Sequence, residues 1–293
     1  MRAVKEKANA KINLYLDVIS KREDGFHEIK SVMHSVSLSD TVTVTYTPSK
    51  VTNVRMSVKG NRYLPTDDKN LAVKAAMLFL EAACKTANIH IHLEKHIPIA
   101  AGLAGGSSDA AATLRAMNKL FDKIFTDRAL LKIAERIGSD VPYCLYGKTA
   151  ICEGRGEVIT KLPDTLNLSV VVAVANEHVA TPLAYSTLDA MYSSFDGSIV
   201  TKGEKYYLSL LDSIKNGKIN GEDLYNVFED AILPLCPKAS KIKSRLAELG
   251  AAATLMSGSG PSVFGLFEND KDAQNACRIL REESVTAYFV KSV

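Results

Sequence analysis

Apolar and polar positions alternate near the start of the chain: Ala10, Ile12, Leu14, Leu16 and Val18 share one face of a strand, and Lys11, Asn13, Tyr15 and Asp17 the other. This predicts a half-buried strand with Lys11 and Asn13 on the same, polar side. Asp24-Gly25 supplies a turn, and Val42, Val44 and Tyr46 resume the alternation, which continues through 54–58. Beyond the polar stretch around Pro65 the period lengthens. Leu71, Ala75, Leu78, Phe79 and Ala82 recur at helical spacing, with Asn70 placed to cap. A strand over Ile89, Ile91 and Leu93 runs into a glycine-rich loop, after which a helix is expected from Ser107, its serines capping and Asp109 in its first turn. Thr126 caps a further helix that stops at Gly138, leaving Ser139 and Asp140 in the loop beyond. Short strands and a glycine turn (Gly154, Gly156) lead to Pro163, the expected boundary between domains at 1–163 and 164–293.

The second half is patterned differently. A strand over 168–174 is followed by a helical insert starting at Thr181-Pro182, then a helix over 238–249 closed by Gly250, strands at 252–256 and 262–267, a helix over 272–282 and a last strand at 285–290. Strand, helices, strand, strand, helix, strand is the split βαβ order of ferredoxin-like folds, so the fold class is α/β (α+β). Residues 193–204 are the expected mobile loop.

Composition narrows the classes. The chain has 293 residues, 46% hydrophobic and 24% charged, enough for one large or two smaller cores. No window approaches the roughly 18 uninterrupted apolar residues that cross a bilayer, and MRAVKEKANAKIN holds no apolar signal core, so no membrane partner and a cytoplasmic location are expected. Thirty-six Lys and Arg against 33 Asp and Glu are dispersed along the chain, which disfavours nucleic acid as a partner. Five scattered cysteines without a CxxC pair suggest buried thiols rather than disulfides or zinc.

The segment PIAAGLAGGSSDAA sets Gly102, Gly105 and Gly106 between a strand and a helix N-terminus. Glycines let backbone N–H groups turn inward, and the helix adds unpaired donors and the positive end of its dipole, so the loop reads as a phosphate cradle. No Lys-Ser or Lys-Thr follows the glycines, and the spacing misses GxGxxG, which excludes a P-loop and a dinucleotide fold; HRD and DFG are absent too. A tight turn that binds nothing is the plainer alternative. Ser257-Gly258-Ser259-Gly260-Pro261 is a second turn with exposed donors, or a plain hairpin. Asp140 and Lys11 are the residue types that transfer of phosphate to an alcohol needs, a carboxylate to take a proton and an ammonium to hold negative charge. Both also fit ordinary solvated groups, and spacing does not pair them. His90, His92 and His96 lack a carboxylate or cysteine to complete a metal set, so no protein metal site is expected.

Three stretches, AKINLYLDV at 10–18, PIAAGLAGGSSDAA at 98–111 and LMSGSGPSVFGLF at 255–267, resemble in order the three motifs of the GHMP small-molecule kinases. KREDGFH at 21–27, SDTV at 39–42, GSDVP at 138–142 and GRGE at 154–157 resemble the branch of that family acting on a cytidine diphosphate-linked alcohol in the methylerythritol phosphate route to isoprenoid precursors. The resemblance implies a two-domain GHMP kinase fold: an N-terminal ATP-binding domain of ribosomal-protein-S5-like topology and a C-terminal ferredoxin-like domain, with substrate in the cleft between. It implies that Pro98, Ala101, Gly102, Leu103, Ala104, Gly105, Gly106, Ser107 and Ser108 wrap the ATP phosphates, and that Asn70 and Lys95 fall near adenine. Asp140 and Lys11 match the family's catalytic pair, and Asn13 a substrate contact. Phe26, His27, Thr181 and Tyr185 match the cytidine pocket, with Tyr185 the wall opposite Phe26, and Gly258, Ser259 and Gly260 the second glycine turn. Relatives often carry tyrosine where this chain has Phe26, which keeps ring stacking and loses a phenol hydrogen bond. Mg²⁺ is expected to arrive on ATP, with Ser108 a candidate ligand. The expected assembly is a monomer or weak homodimer. A homoserine or mevalonate kinase shares the three motifs, and an RNA-binding or regulatory module on the same N-terminal fold is the alternative from another class.

Overall fold

The computed structural model describes residues 1–192 and 202–293. In chain order these form β1 (Arg2–Lys21), β2 (His27–Pro48), β3 (Asn53–Lys59), α1 (Leu71–Ala82), β4 (Ala87–Glu94), α2 (Gly105–Leu120), α3 (Asp127–Glu135) and α4 (Val141–Tyr146). Then follow β5 (Thr149–Gly154), β6 (Val158–Lys161), β7 (Ser169–Val174), α5 (Thr181–Tyr192), α6 (Gly203–Lys215), β8 (Tyr225–Asn226) and α7 (Phe228–Ile232). The last elements are α8 (Pro237–Glu248), β9 (Ala253–Met256), β10 (Ser262–Phe267), α9 (Asp270–Glu282) and β11 (Thr286–Lys291).

The chain forms two compact units, the first from Met1–Ala10, Leu38–Ile99 and Ala104–Gly147, the second from Lys11–Ser37, Ala100–Leu103 and Lys148–Val293. These bounds differ from a division at Pro163, because β5 pairs with the Ile29–His34 stretch of β2 and β6 pairs with β5, so that both strands join the second unit.

In the first unit β4 lies between β3, parallel to it, and the Thr41–Pro48 part of β2, antiparallel. The period of two sends Ile89, Ile91 and Leu93 into the core and turns His90 and His92 the other way, where they bracket the Ser57 hydroxyl at 3.1 and 2.9 Å. Asn70 caps α1 as expected, its Oδ1 accepting from Ala72 N at 2.9 Å. Ala110, Ala111, Ala112 and Ala116 of α2 are wholly buried, so this helix is enclosed on nearly all sides and only small side chains fit.

In the second unit, four antiparallel strands run in the order β11-β7-β10-β9, which counted along the chain is fourth, first, third, second. That is the ferredoxin-like arrangement expected from sequence. Its central β7 buries Val170, Val171, Val172 and Ala173 completely, hence an unbroken apolar run rather than an alternating one.

Several expectations shift. Ala10 to Val18 of β1 are buried on both faces, because Lys11 and Asn13 are covered by polar backbone rather than water. The helix after the glycines begins at Gly105, not Ser107; Ala104 occupies the cap position with φ 55° and no side-chain cap bond, so neither serine caps and Asp109 lies beyond the first turn. Asp140 heads a short helix, α4, that periodicity did not reveal. Of the loop expected at 193–204, residues 193–201 lie outside the described residues, whereas Gly203 and Glu204 open α6.

Buried His34 ties the end of the second unit together: its Nδ1 lies 2.8 Å from Thr149 Oγ1 and its Nε2 2.8 Å from Ser292 Oγ, which accepts from Leu168 N. Burial pushes the imidazole down to about 4, with Asp164 opposing weakly. A folded-state value below the ordinary 6.5 means that the native state binds fewer protons. His34 therefore contributes fully above pH 6.5, and that contribution is lost as pH falls toward 4. At 1.36 kcal/mol per unit this amounts to about 3 kcal/mol. Melting midpoints between pH 7 and 4 should fall less steeply for His34→Gln than for the parent; parallel slopes would contradict the assignment.

Candidate active site

The first unit supplies a candidate anion cradle. Ser108 N, bonded to Ala104 O at 2.9 Å, makes the first helical bond of α2, which leaves the N–H groups of Gly105, Gly106 and Ser107 at the positive end of the dipole with no acidic side chain in that turn. A Cβ on Gly105 would stand 2.8 Å from Lys95 Nζ, whereas one on Gly106 would meet only Leu71 Cδ1 at 3.7 Å. The helix start is packed from behind at Gly105 and open at Gly106.

Behind the cradle lies a buried ionic cluster. Lys95 Nζ pairs with Asp40 and, at 2.9 Å, with Asp109, and Asp40 Oδ1 also accepts from His96 N at 2.5 Å and Ile97 N at 2.8 Å. Burial drives the Asp109 carboxyl well above its ordinary range, the Lys95 charge offsetting this only in part and Asp40 adding to it. Asp109 Oδ1 has no hydrogen-bond partner among the described residues.

Lys95 is thus enclosed as the counter-ion of two carboxylates. Asn70 is likewise occupied, capping α1 and donating to Pro65 O at 2.9 Å. Ser108, 1% exposed, donates to Asn9 O at 2.5 Å and lies 3.3 Å from Cys144 Sγ. Ser107 and Pro98 are half-buried. Arg115 donates to Cys144 O at 2.9 Å, so α4 hangs from α2, and half-buried Asp140 stands at its head with no cap bond from its side chain.

The second unit gathers a polar knot around Lys11. Lys11 is 4% exposed, its Nζ donating to Asn13 Oδ1 at 2.7 Å and Gly102 O at 2.9 Å. Asn13 Oδ1 also accepts from Gly258 N at 2.9 Å, and Asn13 Nδ2 donates to Ser31 Oγ at 2.8 Å. Gly102 O accepts in addition from Ser257 Oγ at 3.0 Å. The two glycine turns therefore meet: with φ +71°, Gly102 sits where a Cβ would come within 2.1 Å of Ser257 O. Ala101 and Leu103 anchor the bend through buried side chains, and Ala100 beside them holds φ 53°, strain that an alanine keeps only where its surroundings dictate it. No carboxylate among the described residues pairs with Lys11, and a buried ammonium held only by neutral acceptors is suited to an incoming anion.

Among the residues expected around cytidine, His27 Nε2 lies 2.7 Å from Asp189 Oδ1 and its ring stacks on Tyr185 with centroids 4.6 Å apart. Partial burial opposes ionisation of Asp189, but hydrogen bonds from Lys21 and His27 hold its carboxyl below the ordinary range. Phe26 is 51% exposed with the Arg155 guanidinium 4.9 Å from its ring centroid, a flat cationic-aromatic surface. Thr181 Oγ1 lies 3.3 Å from Ser259 Oγ, and Gly260 is buried in the same turn with φ +83°.

Family comparison decides the lineage. The family description "GHMP kinases N terminal domain" matches residues 70–148 and "GHMP kinases C terminal" residues 210–285. The chain is 40% identical over 290 residues to a 4-diphosphocytidyl-2-C-methyl-D-erythritol kinase of Clostridium botulinum (strain Eklund 17B / Type B), covering 98% of this chain and 99% of that one. The chain belongs to the 4-diphosphocytidyl-2-C-methyl-D-erythritol kinase family of GHMP kinases. A member of this family from Exiguobacterium sibiricum is 41% identical over 287 residues, covering 97% of this chain and 96% of its own. A solved 4-(cytidine 5'-diphospho)-2C-methyl-D-erythritol kinase superposes with TM-score 0.80 at 31% identity, covering 99% of this chain and all of its own. Homoserine kinase from Cytophaga hutchinsonii, with TM-score 0.78 at 22% identity over 100% of this chain and 95% of its own, shares the fold. GHMP kinases use ATP as phosphate donor. No helix among the described residues is long and apolar enough to cross a membrane.

Sequence reasoning passed over Ser31, Ser257, Asp40, Asp109 and Arg155. The last three had a signal: Asp40 and Arg155 lie in the SDTV and GRGE stretches, and Asp109 is the one acid in an alanine-rich helix start.

Proposed function

We propose that this chain transfers the γ-phosphoryl group of ATP to the 2-hydroxyl of 4-diphosphocytidyl-2-C-methyl-D-erythritol. The observation that carries the reading is Lys11, a buried ammonium with two neutral acceptors, Asn13 Oδ1 and Gly102 O, and a third donor left over for an anion. The backbone N–H groups of 105–107 take phosphate oxygens at the start of α2. Mg²⁺ bound with ATP would supply charge neutralisation at the phosphates that the N–H groups of 105–107 receive.

The hydroxyl oxygen forms its bond to the γ-phosphorus as the bond to the bridging oxygen of ADP breaks, and the hydroxyl proton passes to the Asp140 carboxylate. In a loose transition state that proton leaves late, so Asp140 orients the hydroxyl more than it activates it. Lys11 offsets charge on the moving phosphoryl group. Phe26 offers its face to the cytosine ring, with Arg155 beside it and with Thr181 and Ser259 lining the second glycine turn. With ATP as donor and no membrane-spanning helix among the described residues, the cytoplasm is the proposed location.

ATP consumption measured with the cytidine diphosphate substrate beside homoserine and mevalonate tests the reading. Turnover with the first at least ~10²-fold above the others is expected, because the cytidine contacts have no counterpart in the smaller alcohols. Preference for either small alcohol would overturn the substrate assignment.

A further inference from the structure

The turn between β9 and β10 is gripped by two residues of one short stretch, Asn226 and Glu229, that no motif singled out. Asn226 is 3% exposed; its Nδ2 donates to Met256 O at 2.7 Å and Gly258 O at 2.8 Å, while its Oδ1 accepts from Phe228 N at 3.0 Å. Glu229 Oε1 accepts from Met256 N at 2.8 Å, and its Oε2 accepts from Lys243 Nζ at 2.5 Å. Both backbone groups of Met256 and the carbonyl two residues on are thereby fixed by side chains outside the hairpin. Such anchoring matters for a turn whose Gly258 and Gly260 hold φ +60° and +83°, since glycine left to itself samples many conformations.

The grip is registered to the polar knot. Asn226 of β8 pairs in parallel with Leu16 of β1, the strand that carries Lys11 and Asn13. The gripped turn in turn donates Gly258 N to Asn13 Oδ1 and Ser257 Oγ to Gly102 O, the two oxygens that hold Lys11 Nζ. We propose that Asn226 and Glu229 are positioning residues for phosphoryl transfer, setting the 257–260 turn so that it aims the Lys11 ammonium. The proposal rests on the reaction inferred above.

Steady-state kinetics of Asn226→Ser, Glu229→Ala and Glu229→Gln test it, each assayed well below its own melting midpoint. Asn226→Ser removes both donors to the hairpin, and about a 10- to 100-fold loss of kcat is expected with KM for ATP within about threefold, as misplacement of a catalytic group affects the transition state rather than ground-state binding. Glu229→Ala should lose about tenfold, whereas Glu229→Gln, which keeps an acceptor for Met256 N, should recover kcat to within about threefold of the parent. If Asn226→Ser fails to fold, the Glu229 pair decides alone. The proposal is overturned by normal kcat in the folded variants, by a Glu229→Gln variant as impaired as Glu229→Ala, or by losses that vanish on cooling. A parent protein silent on the cytidine substrate removes the reaction and the proposal with it; an active parent with normally active variants removes only the proposal.

Discussion

Gly102→Ala is expected to lower kcat/KM at least ~10²-fold, the scale of effect that follows a displacement of about 1 Å near the chemistry. Two causes act at one atom. The backbone there has φ +71°, a left-handed conformation that costs a residue with a Cβ on the order of 1 kcal/mol. The added Cβ would also lie 2.1 Å from Ser257 O, which is backbone and so has no rotamer by which to escape. Relief requires the bend or the hairpin to move, and either movement pulls Gly102 O away from Lys11 Nζ and Ser257 Oγ. A lowered melting midpoint should accompany the kinetic loss. Gly106→Ala is the matching contrast: its Cβ would meet only Leu71 Cδ1 at 3.7 Å, so the melting midpoint should hold while KM for ATP rises, the methyl group standing where phosphate is received. A Gly106→Ala variant with unchanged KM would mean that the helix start receives nothing, and normal turnover in Gly102→Ala would mean that the two turns need not meet.

That contrast also marks what the sequence disclosed. Glycines at 102, 105 and 106 announced a loop with open amides, but not that each has a different neighbour: a carbonyl, an ammonium and nearly free space. Local patterning found β4, α1 and α9, because periodicity reflects which face is buried and those elements have one buried face, and it found β7 and β10 as unbroken apolar runs. It failed where buried positions are polar. The polar side of β1 reads as solvated, yet Lys11 and Asn13 are covered by the backbone of 102 and 258, partners 91 and 245 residues away. Short α4 and α7 carry too few turns to show a period. Lys95 was placed by resemblance near adenine, and its pairing with Asp40 and Asp109 is tertiary and has no signature along the chain, whereas the Asn70 cap of α1 is local and was legible. His27 and Tyr185 were singled out by resemblance, but the stacking of one ring on the other depends on how β2 and α5 pack.

Asp140→Asn is expected to reduce turnover by at least ~10², the range for a group that accepts a proton in the transition state. ATP affinity, measured by titration calorimetry, should stay near that of the parent, because the amides proposed to receive phosphate belong to α2. The substitution is nearly isosteric. Asp140 is half-buried and contributes no side-chain cap to α4, so no structural hydrogen bond of the cap is removed. Helix α4 itself is held by contacts that the variant leaves alone, Arg115 to Cys144 O at 2.9 Å and Ser108 Oγ beside Cys144 Sγ at 3.3 Å. An unchanged melting midpoint is therefore expected, which isolates the proton acceptor from the scaffold. The same experiment at Lys11 would be less clean, because removing its ammonium leaves Asn13 Oδ1 and Gly102 O, buried acceptors, short of a donor and destabilises the knot as well as the reaction. Turnover by Asp140→Asn close to that of the parent would take the carboxylate out of the mechanism and leave Lys11 and the helix amides to carry it by charge alone.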